Sequence, residues 1–133
     1  MPAQPGIFMT KFLLLRREVH EFSLCEALIA EVERIALKNG ALRVQSVKLR
    51  IGPLSGVETP LLQHAYPFAS AGTLADGSTL EIEPALLIVH CEVCGFESEA
   101  EPNLLTCRAC GSYLTRVVCG EELTLMRVEL ITT

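Results

Sequence analysis

Residues 91–111 carry two Cys-x-x-Cys pairs, Cys91-Glu-Val-Cys94-Gly95 and Cys107-Arg-Ala-Cys110-Gly111, separated by the 12 residues 95–106. In each pair the glycine after the second cysteine permits a tight turn that directs amide N–H groups toward thiolate sulfurs. Two such knuckles supply the four tetrahedral thiolate ligands that structural Zn(II) sites use, with no position left open for a substrate. The spacing therefore predicts a structural zinc ribbon held by Cys91, Cys94, Cys107 and Cys110.

The alternatives to zinc are two local disulfides, a redox dithiol, or iron in a rubredoxin-like site. Disulfides are disfavoured because a chain this apolar builds its own core, and because Cys25 and Cys119 stand alone, as in proteins of a reducing compartment. A thioredoxin-like redox role is disfavoured because neither pair opens a helix after a strand. The spacing alone does not distinguish zinc from iron.

The whole chain has 133 residues, of which 50% are apolar and 20% are charged, with a formal net charge of −5. This size predicts one compact domain with room for a small appendage. Four thiolates (−4) and one zinc ion (+2) would change the charge from −5 to −7. Such an acidic balance argues against nucleic-acid partners. The apolar run Ile7–Leu15, interrupted by Lys11, is too short to span a membrane.

Two helices are predicted on the N-terminal side of the cysteines. Ser23-Leu-Cys-Glu26 reads as a capping box, and Asn39-Gly40 reads as the C-terminal stop of the same helix. The apolar face recurs with a period near 3.6, at Cys25, Leu28, Ile29, Val32, Ile35 and Ala36. A second helix should have Thr59 as N-cap and Pro60 as first residue, and should run to about Ala71. Pro67 inside it should kink or shorten it.

Three strands complete the pattern. In Val47–Ile51 apolar and polar residues alternate strictly, and the predicted strand ends at Gly52-Pro53. In Thr79–Glu83 they alternate as well, and this strand is predicted to continue past Pro84 toward Val89. After the cysteines, Leu123–Leu125 alternates, and so do Met126, Val128 and Leu130, with a change of phase that indicates a bulge. The last strand must return to the sheet begun before the cysteines, so the ribbon is predicted to be an insertion with two connections.

The predicted fold class is α+β, a small mixed sheet with two helices and an inserted zinc ribbon. The expected domains are residues 19–88 plus 114–133 for the sheet and helices, and residues 89–113 for the ribbon. Residues 1–18 are expected to be an extension without a structural role. Met9 and Val19 are alternative translation starts, since a GTG codon can initiate translation and is then decoded as Met.

The chain resembles the hydrogenase maturation nickel metallochaperones, the HypA/HybF family, from about Val19 to Leu130. His20-Glu21-Phe-Ser23-Leu24 is similar to the opening Met-His-Glu-x-Ser of that family. The other matching stretches are Val47-Lys-Leu-Arg-Ile-Gly52, Leu80-Glu-Ile-Glu83, the two knuckles, Gly120-Glu-Glu-Leu123 and Val128-Glu129. Many ribbons share the cysteine quartet, but its combination with His-Glu-x-Ser and Gly-x-Glu-Leu is much more specific.

The unpaired thiols beside two Cys-x-x-Cys motifs are typical of a cytoplasmic protein, and the resemblance implies a protein that is not an enzyme. It implies an α/β nickel-binding domain that carries Ni(II) as cargo, with zinc in the attached ribbon. The cargo would go to the large subunit of [NiFe] hydrogenase, in some organisms also to urease, together with a partner GTPase. A homodimer is left open. The family's nickel site uses the initiator amine, the following His and the next Glu, which correspond by position to Val19, His20 and Glu21.

The chemistry of Ni(II) accounts for a site at a chain terminus. Ni(II) favours square-planar or octahedral nitrogen and oxygen donors. A free amine, a deprotonated backbone amide and the His20 imidazole chelate through adjacent rings, with Glu21 close enough to complete the set. A His-Glu pair in mid-chain offers too few donors for tight binding. Because 18 residues precede this motif, our hypothesis is that translation begins at position 19, with Val19 standing for an initiator Met.

Two other functions are weighed. A zinc-ribbon adaptor in transcription, translation or protein assembly would have no nickel role. An enzyme that uses Cys25, Cys119 or an open zinc site is disfavoured, because the sequence contains no recognisable motif that pairs a nucleophile with a general base. Cys25 is expected in the core and His64 is expected to be structural. His90 either tunes the metal site from beside Cys91 or is an exposed polar residue before the knuckle, and the second reading is favoured.

Overall fold

The computed structural model describes the backbone of residues 3–12 and all of residues 21–132. The elements are β1 (Ala3–Phe12), α1 (Glu21–Lys38), β2 (Arg43–Ile51), α2 (Thr59–Ser70), β3 (Thr79–Pro84), β4 (Ile88–Cys91), β5 (Glu97–Glu99), β6 (Thr115–Cys119) and β7 (Leu123–Ile131). A four-stranded sheet has the order β1-β7-β2-β3, and a three-stranded sheet has the order β5-β4-β6. The predicted α+β class, with two helices and a separate cysteine-bearing unit, is confirmed.

The larger sheet is mixed, and its last strand returns to it as predicted. β2 is parallel to β3 and antiparallel to β7. Between β2 and β7 the register moves from Lys48↔Arg127 to Leu49↔Leu125, so Met126 is left without an opposite residue. The predicted bulge is therefore confirmed. It lets Leu125 and Val128 both face the core although they are three residues apart.

Residues 3–12 form an edge strand of this sheet. β1 pairs antiparallel with β7 from Ala3↔Ile131 to Phe12↔Leu123. The expectation that residues 1–18 have no structural role is therefore wrong for this segment. Pro5 and Gly6 hide the strand in the sequence, because both residues are depleted in strands. An edge strand nevertheless tolerates proline, since one side of its backbone needs no ladder partner. The translation start at Val19 stays a prediction.

Helix α1 is an amphipathic helix whose predicted apolar face is buried. Its predicted capping box is wrong, because Ser23 is the third residue of α1 and Glu26 is the sixth. Both side chains are exposed, so the Ser-x-x-Glu pattern here marks the solvent face. The stop at Asn39-Gly40 is confirmed. The Gly40 N–H donates to the Leu37 carbonyl at 3.1 Å and the Ala41 N–H to the Ala36 carbonyl at 2.9 Å, which closes the helix.

Helix α2 differs from its prediction in two details. Its N-cap is Glu58, which makes no side-chain cap hydrogen bond, so Thr59 is the first helical residue. The helix continues through Pro67 and ends at Ser70, three residues later. Pro67 is tolerated on the exposed face, while Tyr66 beside it is buried. The predicted extension of the second strand past Pro84 is also wrong, because Val89 belongs to β4 of the smaller sheet.

The two helices pack on one face of the sheet and run in the same direction. Near the start of α1 the Cys25 thiol contacts the Leu62 carbonyl at 3.6 Å, in the first turn of α2. Further along α1, the Glu33 carboxylate accepts a hydrogen bond at 3.0 Å from the N–H of Leu74, just beyond α2. Both helices therefore begin at the same end of the domain. Residues 52–58, which join β2 to α2, lie at that end too.

The ribbon is attached at this same end. Its two connections leave β3 and rejoin β7. The first contacts the end of β2, where the Ala85 N–H donates to the Ile51 carbonyl at 2.9 Å, and the second contacts the loop after β2. The Gly52 N–H donates to the Glu122 carbonyl and the Leu54 N–H to the Gly120 carbonyl, each at 2.9 Å. A Cβ atom on Gly52 would lie 2.1 Å from the Gly120 carbonyl oxygen. The segments around Gly52 and Gly120 thus meet backbone to backbone, at a distance that only glycine permits.

Cys25 gives a first testable prediction. Burial, and then the nearby charge of Glu21, raises the pKa of the Cys25 thiol to about 11. The thiolate is the reactive form of cysteine. We therefore expect iodoacetamide at neutral pH to leave Cys25 unmodified in the folded protein and to modify it fully in urea, as measured by peptide mass spectrometry. Modification of the folded protein at the rate of the unfolded chain would contradict the buried position.

Candidate metal centre

The structure brings the four predicted cysteines together. One sulfur atom from each of Cys91, Cys94, Cys107 and Cys110 lies within 4.8 Å of all the others. The Cys91–Cys110 and Cys94–Cys107 sulfur pairs are both 3.6 Å apart. A tetrahedral zinc site with Zn–S bonds of about 2.3 Å has sulfur–sulfur edges of roughly 3.8 Å. The cluster thus has the size and the donor set of a four-thiolate zinc site.

The two knuckles have the same backbone geometry. The Gly95 N–H donates to the Cys91 carbonyl at 3.0 Å, and the Gly111 N–H donates to the Cys107 carbonyl at 2.8 Å. The φ angles of Gly95 and Gly111 are +76° and +77°, in the left-handed region that glycine allows. Further backbone N–H groups point at sulfur: Val93 to Cys91 and Ala109 to Cys107, each at 3.3 Å. The prediction from the two glycines is confirmed.

These amide donors favour the thiolate form before any metal binds. The backbone N–H of Cys94 is the largest influence on Cys91, and together with the Val93 N–H it lowers the pKa of that thiol to about 6 against the effect of burial. The backbone N–H of Cys110 likewise lowers the pKa of Cys107. Cys91 and Cys107 are buried, whereas Cys94 and Cys110 are exposed. The buried half of the cluster is therefore prepared to bind a cation.

The remaining candidate side chains lie apart from the four sulfurs. His90 faces β5, where its Nδ1 lies 3.4 Å from a Glu97 carboxylate oxygen. Cys119 is half-buried in β6, outside the cluster. Cys25 is a core residue, as predicted. His64 is exposed on α2, with its ring centroid 5.9 Å from that of Phe68.

The predicted nickel residues are described only in part. Val19 and His20 lie outside the described residues. Glu21 is the first residue of α1 and is half-buried. Its charge acts on the Cys25 thiol, which contacts the first turn of α2, so the carboxylate lies where the two helices begin. The sequence analysis did not predict how the residues around Glu21 lie relative to the ribbon. The one sequence feature that could have indicated it is the position of the ribbon, which is inserted with two connections after the strand Thr79–Glu83.

A comparison with protein families supplies the identity. The family described as "Hydrogenase/urease nickel incorporation, metallochaperone, hypA" matches residues 19–130. The chain belongs to the HypA family. HypA relatives include the hydrogenase maturation factor HypA of Nitrosospira multiformis, 75% identical over 115 residues, which are 86% of this chain and 100% of that protein. HypA of Aquifex aeolicus is 38% identical over 112 residues, covering 84% of this chain and 97% of that protein.

Solved HypA structures have the same fold. The solution structure of the Ni metallochaperone HypA from Helicobacter pylori superposes with a TM-score of 0.65 at 25% identity, covering 86% of this chain and 100% of that one. A second HypA solution structure gives a TM-score of 0.67 at 24% identity. The four-cysteine cluster and the HypA fold together agree with the predicted ribbon. No helix in residues 21–132 is long and apolar enough to cross a membrane.

Proposed function

We propose that this HypA-family protein is a nickel metallochaperone that binds Ni(II) and delivers it during maturation of [NiFe] hydrogenase, and also of urease where the organism has one. The observation that carries the proposal is the family match over residues 19–130, which begins one residue before His20. Family members are described by nickel incorporation and metallochaperone activity. On this proposal the protein holds and transfers an ion and is not an enzyme.

The proposed nickel ligands are the α-amine of Val19, the imidazole of His20 and the carboxylate of Glu21. The amine exists only if the chain begins at Val19, which we propose as the translation start. The start of the family match supports this position, and so does the relative from Nitrosospira multiformis, whose full length aligns with 115 residues of this chain. Glu21 is held in the first turn of α1, so its carboxylate sits next to the proposed terminus.

Zn(II) at the four cysteines has a structural role in this proposal. Cys91, Cys94, Cys107 and Cys110 would supply all four ligands, so that no coordination position remains for water or substrate. When bound, zinc cross-links the two knuckles and stabilises the ribbon. The protein's own contribution is the set of amide N–H donors around Cys91 and Cys107, which favour the deprotonated thiols.

The proposed partners are a nickel-handling GTPase and the hydrogenase large subunit, in the cytoplasm, with neither nucleic acid nor membrane. A homodimer belongs to the same proposal. The alternative is a ribbon adaptor without a nickel role. That alternative is favoured by the exposed apolar side chains around the knuckles, among them Phe96, which is 51% exposed, and Tyr113, which is 80% exposed.

A nickel titration of the zinc-loaded chain 19–133 tests the proposal. We expect one Ni(II) per chain, and a loss of affinity of about a hundredfold in His20→Ala with the zinc content unchanged, because the imidazole is one of few nitrogen donors. Isothermal calorimetry gives the affinity, and elemental analysis counts both metals. His64→Ala is the matched control, since His64 is an exposed histidine of α2.

Two outcomes would reject the proposed coordination. One is equally tight nickel binding by the 1–133 and 19–133 chains, because the longer chain has no α-amine at Val19. The other is unchanged nickel binding in His20→Ala. Absence of specific nickel binding in the 19–133 chain would favour the adaptor alternative.

A further inference from the structure

Exposed apolar side chains are concentrated around the cysteine cluster. Residues 21–132 contain twelve large apolar side chains that are exposed, and seven of them lie in residues 85–122, the segment between β3 and β7. Four of the seven lie within the two knuckles or just after them and are each more than half exposed: Val93, Phe96, Tyr113 and Leu114. We call these four residues the knuckle surface. Exposed apolar groups gathered in one place are typical of a contact site for another molecule.

Backbone contacts bring the two halves of the knuckle surface together. The Glu92 N–H donates to the Leu114 carbonyl at 2.7 Å, so the residue before Val93 lies against the segment that follows the second knuckle. The Cys91 N–H donates to the Phe96 carbonyl at 3.0 Å, which folds Phe96 back onto the first knuckle. The exposed side chains from both knuckles therefore belong to one end of the three-stranded sheet.

That end lies away from the junction with the larger sheet. β4 begins at Ile88, which pairs with Cys119, and ends at Cys91. Cys119 precedes Gly120, which contacts the loop after β2 at Gly52. The start of β4 is therefore the attached end of this unit, and the knuckles lie at the other end, where a partner can reach them.

The segment that carries the knuckle surface is strongly acidic. Residues 85–122 contain six glutamates, two arginines and neither aspartate nor lysine, which gives a formal charge of −4 out of −5 for the whole chain. One of the arginines, Arg116, is paired with Glu92, with 2.9 Å between Nε and a carboxylate oxygen. Glu99 and Glu101 are exposed, and their side chains make no hydrogen bond or ion pair with any described residue. Unpaired carboxylates thus lie close to the apolar groups.

Charge identifies the kind of partner that can cover this surface. Nucleic acid and anionic lipid headgroups carry the same sign of charge as residues 85–122 and are repelled. A second copy of the chain would bring another −4 into contact with the first, so two knuckle surfaces repel each other as well. A segment rich in Lys and Arg has the opposite charge, and its aliphatic stems and guanidinium groups also pack on exposed aromatic rings.

We propose that the knuckle surface binds a basic segment of another protein. Apolar side chains of that segment contact Phe96 and Tyr113, and its Lys or Arg side chains pair with the carboxylates of Glu97, Glu99 and Glu101. The aromatic rings supply the contact area, and the carboxylates select a partner of positive charge. This binding involves neither of the proposed metals directly, so it does not rest on the proposed nickel role.

A display library of random dodecapeptides, selected on the zinc-loaded full chain, tests the proposal without a known partner. We expect the enriched peptides to have a net positive charge and to contain aromatic or aliphatic residues. Their affinity, measured by fluorescence anisotropy, should fall about tenfold when the NaCl concentration is raised about tenfold, because salt screens exposed charge pairs.

Matched variants locate the binding site on the protein. Tyr113→Ser and Phe96→Ser should each weaken binding of the enriched peptides about tenfold, because aromatic anchors carry much of the binding energy at protein interfaces. Phe68→Ser is the control, since Phe68 is an exposed aromatic residue of α2. Glu99→Lys should weaken binding about fivefold by reversing a complementary charge, whereas Glu26→Lys, on the exposed face of α1, should not. Elemental analysis should show unchanged zinc in every variant.

The proposal is overturned if no peptide is enriched, if the enriched peptides are acidic or neutral, or if Phe68→Ser weakens binding as much as Tyr113→Ser does. It is also overturned if Tyr113→Ser converts a dimer to a monomer in sedimentation, because the surface would then be a contact between copies. Nickel titration of Tyr113→Ser separates this result from the metallochaperone proposal. The proposed nickel ligands are at positions 19–21, so either proposal can fail while the other holds.

Discussion

Removal of zinc by a chelator is expected to unfold the ribbon and to leave the helices and the larger sheet folded. The loss should be large, because a structural zinc site contributes on the order of 10 kcal/mol to the folding of a small module. Zinc binding at four thiolates also requires their deprotonation, so acid should release the ion in the same way.

The distribution of buried residues explains why the loss stays local. The core formed by α1, α2 and the larger sheet includes no residue from 85–122, a segment that is described throughout. The ribbon has its own few buried apolar residues, Leu87, Val89, Cys91 and Cys107, and two of these are cysteines of the cluster. Without the metal, this segment buries too little apolar surface to offset its conformational entropy.

Cys107→Ser and Cys119→Ser form a matched pair for this test. Cys107 lies in the second knuckle and Cys119 lies in β6 of the three-stranded sheet, and only Cys107 belongs to the cluster. We expect Cys107→Ser to lose zinc and the amide resonances of residues 88–119 to collapse toward unfolded positions in a ¹H–¹⁵N spectrum, with helix resonances retained. Cys119→Ser should keep one zinc and the native spectrum. A native, zinc-loaded Cys107→Ser protein would contradict the four-cysteine assignment.

Gly52→Ala is expected to destabilise the zinc-loaded protein by about 3 kcal/mol, because it forces new atoms into a close-packed contact. The added Cβ would lie 2.1 Å from the carbonyl oxygen and 2.3 Å from the carbonyl carbon of Gly120. These are backbone atoms and cannot rotate away. Moving the two segments apart to make room for the Cβ would also stretch the hydrogen bonds from Gly52 to Glu122 and from Leu54 to Gly120.

Gly56→Ala in the same loop is the control for this substitution. A Cβ at Gly56 meets nothing within 4 Å, and its cost comes only from a φ of +80°, which is worth about 1 kcal/mol. Urea unfolding of both variants, compared with the parent, gives the difference in free energy. Equal destabilisation by the two substitutions would mean that the contact between Gly52 and Gly120 has no special weight in attaching the ribbon.

Much of the fold could be predicted because local pattern and burial agree. The face of α1, the end of that helix at Asn39-Gly40, the β2 terminus at Ile51 and the bulge beside Met126 all follow from periodicity and turn residues. The failures occur where one pattern has two structural meanings. Ser23-x-x-Glu26 fits a cap and also an exposed helix face, and a segment with Pro5 and Gly6 carries no strand signal although it pairs at an edge.

The grouping of the four cysteines could be predicted from the sequence, whereas the nickel ligands at Val19, His20 and Glu21 stay a prediction. Two knuckles bring their own ligands together within a short segment, so spacing alone predicts the cluster. A terminal site instead depends on where the chain starts, which no periodicity encodes. Its position relative to the ribbon depends on contacts such as Gly52 with Gly120, between residues that are far apart in the sequence.

The parallel arrangement of α1 and α2 has an electrostatic consequence for a carried ion. Each helix start has a partial positive charge of roughly half an elementary charge from its aligned peptide dipoles. The two starts together amount to about one positive charge, which is outweighed by the carboxylates of Glu21 in the first turn of α1 and Glu58 at the N-cap of α2. A nickel ion held there would therefore be retained by carboxylate charge in excess of the helix dipoles, so that protonation of these carboxylates would favour its release to a recipient.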